Sequence, residues 1–111
     1  MNSASALQVE LVYDADCPNV ALARANLLAG FSLAGIAPRW SEHRIGDPAA
    51  PAHTRGYGSP TILVAGADVA GTEPESEACC RIYTADGRAS KAPSIELIAA
   101  ALSRFGDTVL R

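Results

Sequence analysis

The sequence predicts an α/β domain with a mixed four-stranded sheet and helices on both faces. An apolar, partly alternating segment, 7–13, is followed by an Ala- and Leu-rich segment whose apolar residues recur every three or four positions. A second β-prone segment, 61–65, precedes a glycine turn, and an amphipathic segment lies near the end. A helical crossover makes the first two strands parallel, whereas a tight turn makes the last two antiparallel.

The composition is that of one ordinary globular domain. The chain has 111 residues, of which 49% are hydrophobic and 19% charged, and this length supports a single core. Nine Lys and Arg scattered among twelve Asp and Glu, with a net charge of −3, offer no basic surface for nucleic acid. The chain shows neither a signal-peptide pattern nor a membrane span. We therefore expect a cytoplasmic protein without nucleic-acid or membrane partners; the oligomeric state is not predicted.

The first half of the domain is predicted as strand, helix and strand. Residues 7–13 form the first strand, and the polar segment 38–45 suits an edge strand with one exposed face. The helix between them stops near Gly35. Its apolar stripe consists of Val20, Ala23, Leu27, Phe31 and Ala34.

The second half begins with a loop at 46–58, which contains two prolines, three glycines and room for one short helix. Residues 61–65 form the third strand, and a turn at 66–68 leads into a short strand at 68–70. The final helix starts near Ser94, with Ile95, Ile98, Leu102 and Phe105 on one face. The domain spans 7–105, between a disordered N-terminus at 1–6 and a tail at 106–111, and contains an irregular insertion at 72–92.

Cys17 is the main candidate for a reactive group, because it stands between the first strand and the first helix. Backbone N–H groups at a helix N-terminus favour an ionised thiol, and the thiolate is both the nucleophile and the metal ligand. Pro18 suits the first helical position. Asp14 and Asp16 oppose this effect by their negative charge. The alternative is that Cys17 is a small buried hydrophobe, the common fate of a free cysteine.

Three segments, Cys17-Pro18-Asn19-Val20, Ser59-Pro60-Thr61-Ile62 and 65–71, together resemble the active-site motif, the cis-proline segment and the glycine-rich turn of glutaredoxin-like members of the thioredoxin superfamily. The resemblance covers roughly residues 7–105 and implies a thioredoxin-like fold. The alternative for Pro60 is an ordinary loop proline. The resemblance implies that the substrate-binding residues include Pro18, Ser59, Pro60, Thr61 and Gly71. Tyr57, the aromatic residue beside the proline segment, is a further candidate.

The resemblance is incomplete, because Val20 stands where the second cysteine of the motif would be. A disulfide within the motif is therefore impossible. Any redox cycle either uses Cys17 as the only thiol or takes Cys79 or Cys80 as a resolving thiol. We expect a thiol-disulfide oxidoreductase in which Cys17 attacks a disulfide of a protein or of glutathione, with no required cofactor.

Two alternatives remain open for the same residues. Cys17, Cys79 and Cys80 would suit a soft metal such as mercury or arsenite, since three thiolates lack the fourth ligand of tetrahedral zinc. In the second alternative, the protein is a thioredoxin-like interaction module without redox activity. His43 and His53 lack metal-motif spacing with the cysteines and are expected to be solvated.

Overall fold

The computed structural model describes residues 7–71, 83–85 and 88–110. They form an α/β structure with one main sheet, one small hairpin and two α-helices. The elements are β1 (Val9–Tyr13), α1 (Val20–Ala34), β2 (Ser41–Arg44), a 3₁₀ helix (Ala52–Thr54), β3 (Thr61–Val64), β4 (Ala67–Asp68), β5 (Tyr83–Ala85), β6 (Arg88–Ser90) and α2 (Ile95–Leu110).

The main sheet has four strands in the order β2-β1-β3-β4. β1 is parallel to β2 and antiparallel to β3, and β3 is antiparallel to β4, so the predicted mixed sheet is confirmed. The polar strand β2 lies at one edge, as its sequence predicts. Val12 in the central strand pairs with His43 on one side and Thr61 on the other.

α1 ends where the sequence predicts. Gly35 adopts a left-handed conformation with φ of 75°, and its N–H donates to the carbonyl of Ser32 at 3.1 Å. The N–H of Ile36 donates to the carbonyl of Phe31 at 3.0 Å, which completes a Schellman motif. Glycine is the residue that adopts this conformation without a steric penalty.

α2 begins as predicted but ends later. The Ser94 hydroxyl accepts the N–H of Leu97 at 3.1 Å, the contact of an N-cap serine. The helix continues to Leu110 and includes residues 106–110 of the expected tail, while Arg111 lies outside the described residues. A glycine inside a helix costs only about 1 kcal/mol, and Gly106 does not end this one. No described helix is long and apolar enough to cross a membrane.

Both α-helices pack on the same face of the sheet, so the prediction of helices on both faces is wrong. The opposite face, called the outer face, carries Glu10, Val12 and Leu63 and is covered by residues 45–57 with their 3₁₀ turn. Pro48 and Pro51 remove backbone donors that a longer helix would need in this segment. The helix-covered face buries an apolar core whose largest members are Leu11, Leu27, Phe31, Ile62, Ile98 and Leu102.

Two turns differ from their predictions. The β3–β4 turn consists of Ala65 and Gly66, both with positive φ (54° and 83°), one residue earlier than expected. Within the predicted irregular insertion, β5 and β6 pair as an antiparallel hairpin with Ala85 opposite Arg88. The sequence between these two strands is Asp-Gly, a strong hairpin signal that predicts this pairing.

Candidate functional site

Most of the predicted site segments lie at one edge of the sheet, the one formed by the carboxyl ends of β1 and β2. Tyr13 pairs with Arg44, and Val12 pairs with Thr61, so the ends of β1 and β2 and the start of β3 share this edge. β4 runs back toward it, since the N–H of Val69 donates to the carbonyl of Ile62 at 3.0 Å. The segments that follow β1 and β4 and precede β3 therefore lie at a common edge.

Cys17 lies in the turn between β1 and α1. Its N–H donates to the carbonyl of Asp14 at 3.0 Å, and its side chain belongs to the helix-side core, with 8% of the residue exposed. α1 begins at Val20 with Asn19 as the N-cap residue. The expectation that Cys17 directly starts the helix is thus wrong by two residues. The first helical residue, Val20, therefore lies three positions after Cys17.

A hydrogen bond connects the Cys17 turn with the proline segment. The N–H of Asp14 donates to the Ser59 hydroxyl at 2.9 Å, although the two residues are 45 positions apart. The Asp14 carboxylate accepts the N–H of Asp16 at 3.1 Å and so fixes the same turn from the other side. The sequence contains no signal for this backbone contact of Asp14.

The proline segment is buried and tightly bonded. The peptide bond between Ser59 and Pro60 is cis, and both residues are buried together with Thr61. The Thr61 hydroxyl donates to the carbonyl of Gly58 at 2.7 Å. From β5, the buried hydroxyl of Tyr83 donates to the carbonyl of Pro60. The Ser59 and Thr61 side chains therefore make hydrogen bonds that stabilise the fold.

The remaining predicted contact residues lie in different surroundings. Pro18 is exposed beside Cys17. Gly71 is exposed after β4, with φ of 78° and its N–H donating to the carbonyl of Asp68 at 2.8 Å. Tyr57, by contrast, is buried on the outer face with Val12. It therefore does not pack in the core cluster that contains Cys17.

The predicted second thiol is not placed. Cys79 and Cys80 lie outside the described residues, so their contact with Cys17 stays a prediction. Within the described ranges, no three His, Cys, Asp or Glu side chains are arranged to hold a metal ion.

A buried carboxyl group on the outer face was not foreseen. Glu10 is 1% exposed, with Nε2 of His43 at 3.0 Å from Oε2 and Nε2 of His53 at 2.8 Å from both oxygens. His53 is exposed, as the sequence predicts, and His43 is partly exposed, but the contact of both with Glu10 was not predicted. The available signal was Glu10 itself, a charged residue inside an apolar strand. The cluster ties the 3₁₀ helix to β1 and β2.

A cavity of about 420 Å³, called the outer cavity, lies beside this cluster. It opens between the outer face and the 45–57 segment. Residues that line it include Val12, Arg44, Ile45, Asp47, Arg55 and Tyr57.

A further charged contact lies at the β2 edge. Arg24 of α1 donates to the two carboxylate oxygens of Glu42 at 2.9 and 2.8 Å. The Trp40 indole N–H donates to the same carboxylate at 3.0 Å. The hydrogen bond from Arg24 lowers the pKa of Glu42 and, in return, raises the pKa of Arg24. This contact joins α1 to the edge strand.

Comparisons with known proteins do not assign this site. No protein-family model, no curated protein and no solved structure matches the chain.

Proposed function

We propose that the protein is a thioredoxin-like thiol-disulfide exchange protein in which Cys17 is the nucleophile. The observation that carries the proposal is the hydrogen bond from the Asp14 N–H to Ser59, because it holds the Cys17 turn against the segment that contains Pro60. The strand order β2-β1-β3-β4 supports the proposal by bringing both segments to one edge.

The chemistry proceeds in two balanced exchange steps. The Cys17 thiolate attacks one sulfur of a substrate disulfide, forming a mixed disulfide and releasing the other sulfur as a thiolate. The thiolate of Cys79 or Cys80 then attacks the Cys17 sulfur. The substrate leaves fully reduced, and the protein keeps an internal disulfide that glutathione or another thiol reduces again.

Chain length supports Cys80 as the resolving thiol. Cys80 precedes Tyr83 by three residues, and three residues of chain span at most about 11 Å. Tyr83 itself contacts Pro60, next to the Cys17 turn. In the second step, Cys80 would therefore act from within this distance of Tyr83.

The test uses the reduced full chain and glutathione disulfide, with intact-mass and peptide mass spectrometry. We expect Cys17→Ser to abolish glutathionylation. The double variant with Cys79→Ser and Cys80→Ser should accumulate a mixed disulfide at Cys17, whereas the unaltered protein should end with an internal disulfide.

Two results would contradict the proposal in different ways. Equal reaction of the Cys17→Ser variant would show that Cys17 is not the nucleophile and would favour an interaction module. Stoichiometric uptake of Hg²⁺ or arsenite that needs all three cysteines, without any exchange with glutathione disulfide, would favour the metal-binding alternative.

Ser59 offers a test of positioning. Ser59→Ala removes the acceptor of the Asp14 N–H, so we expect slower alkylation of Cys17 across the pH range while the far-UV spectrum stays unchanged. Ser41→Ala, at an exposed position in β2, is the matched control and should leave the alkylation rate as it is. An unchanged rate in Ser59→Ala would remove the observation on which the proposal depends.

A further inference from the structure

The outer cavity carries two arginines that have no described counter-ion. Arg44 lies at the end of β2 and Arg55 directly after the 3₁₀ helix, and both line the cavity. Among the described residues, neither guanidinium makes an ion pair or a side-chain hydrogen bond, whereas Arg24 is fully engaged with Glu42. An unpaired guanidinium keeps five N–H donors in a planar fork, the geometry that binds carboxylate and phosphate.

The carboxylate in the lining does not cancel these charges. Asp47 accepts the N–H of Ala49 at 2.9 Å and thereby stabilises its own turn. With Arg44, Arg55 and Asp47 in the lining, two positive charges and one negative charge give a formal charge of +1. The two guanidinium groups are thus the donors that an anion entering the cavity would meet.

The inner wall of the cavity is apolar and already formed. Val12 and Tyr57 are buried there, and Ile45 packs against them. The opposite wall is fixed, because His53 in the 3₁₀ helix contacts the buried carboxyl group of Glu10. The volume of about 420 Å³ lies within the range of sites that take small organic molecules, roughly 300–1,000 Å³.

We propose that the outer cavity binds a small organic anion. Its carboxylate or phosphate group contacts Arg44 and Arg55, and its apolar part packs on Val12, Ile45 and Tyr57. Cys17 does not line this cavity, so the site is separate from the proposed exchange chemistry. The inference therefore stands or falls independently of the thiol.

The test titrates the full chain with phenyl phosphate, benzoate, benzamide and inorganic phosphate, followed by amide NMR shifts. We expect saturable shifts at Ile45, Gly46, Gly56 and Tyr57 with the two organic anions. The tighter of the two identifies the head group. Benzamide lacks the negative charge and inorganic phosphate lacks the apolar part, so both should bind more weakly.

Charge-neutral variants test the two arginines. Arg44→Gln and Arg55→Gln should each weaken binding by about tenfold or more, the loss expected for a charge-assisted hydrogen bond. Arg39→Gln removes the same charge at an exposed position outside the cavity lining and should leave the affinity unchanged. Absence of saturable shifts, equal binding of benzamide, equally tight binding of inorganic phosphate, or equal losses in all three variants would overturn the proposal.

Discussion

The two faces of the same sheet are buried in different ways. In β1, Val9 and Leu11 point to the helices and join an apolar core, whereas Glu10 and Val12 point to the outer face. Alternation along one strand thus separates a side with only apolar packing from a side that combines apolar packing with buried polar contacts. The helix-covered face is filled by an apolar core, while the outer face contains a cavity with charged residues. The two faces can therefore be tested separately, one through its packing and the other through its polar contacts.

The largest expected effect comes from truncating the helix-covered core. Phe31→Ala should lower the free energy of unfolding by about 3–5 kcal/mol, because Phe31 is buried and its ring stacks on Trp40 with centroids 6.0 Å apart. Equilibrium urea unfolding measures the loss. Leu33→Ala on the same helix, 61% exposed, is the control and should cost less than about 1 kcal/mol. Equal losses in the two variants would contradict the assignment of this face to packing.

The outer face should respond to the loss of one polar contact. Glu10→Gln replaces an acceptor of two imidazoles by a group with only one acceptor oxygen, so we expect a loss of about 1–3 kcal/mol. Urea unfolding of Glu10→Gln, His53→Ala and the double variant measures the coupling energy between the two residues. Glu96→Gln, an exposed carboxylate in α2, is the control. Strict additivity of the two single losses would show that the contact contributes nothing to stability.

A smaller effect is expected where the two helices touch. A Cβ atom at Gly30 would lie 2.6 Å from Cγ2 of Ile98, so Gly30→Ala must separate α1 from α2 or move that side chain. Overpacking costs about 1–3 kcal/mol, and the higher helix propensity of alanine offsets about 1 kcal/mol of it. We expect a net loss near 1 kcal/mol in urea unfolding. Ser32→Ala, exposed on the same helix, should be neutral or stabilising, and a stabilising Gly30→Ala would refute the close approach.

The sequence predicts the helix-covered face well because periodicity and end signals are local. The stripe that contains Leu27 and Phe31 is visible in the chain, as are the Gly35 end and the Ser94 cap. The edge position of β2 follows from its polarity. These features depend on neighbours within a few residues, which the sequence displays directly.

The outer face and the candidate site depend on contacts between distant segments. The bond from Asp14 to Ser59 joins residues 45 positions apart, and the contact of His53 with Glu10 joins residues 43 apart. No local sequence pattern predicts such contacts. Glu10, a charged residue inside an apolar strand, is the only sequence feature that indicates its contact with His53. The prediction of helices on both faces failed for the same reason. A Pro- and Gly-rich segment gives no periodic signal of how it covers a sheet.

The smallest effect is expected for the contact between Arg24 and Glu42 at the exposed β2 edge. It tests whether this exposed pair behaves like the contact of His53 with the buried Glu10. Arg24 lowers the pKa of Glu42 in the folded protein, so the contribution of this pair is present above the ordinary carboxyl pKa of 4.5. It is lost as the pH falls through the lower folded-state value. Glu42→Gln should therefore cost up to about 1 kcal/mol at neutral pH, and this difference should vanish in acid.

Urea unfolding of the unaltered protein and Glu42→Gln across the acid range measures this dependence, and Arg24→Gln should reproduce it from the other partner. Because Arg24 and Glu42 are both accessible to solvent, added salt should reduce the difference at neutral pH. The coupling between Glu10 and His53 should depend less on salt, since the Glu10 side chain is only 1% exposed, although that of His53 is 44% exposed. Equal salt sensitivity of the two couplings would show that burial does not distinguish the outer-face cluster from an ordinary surface ion pair.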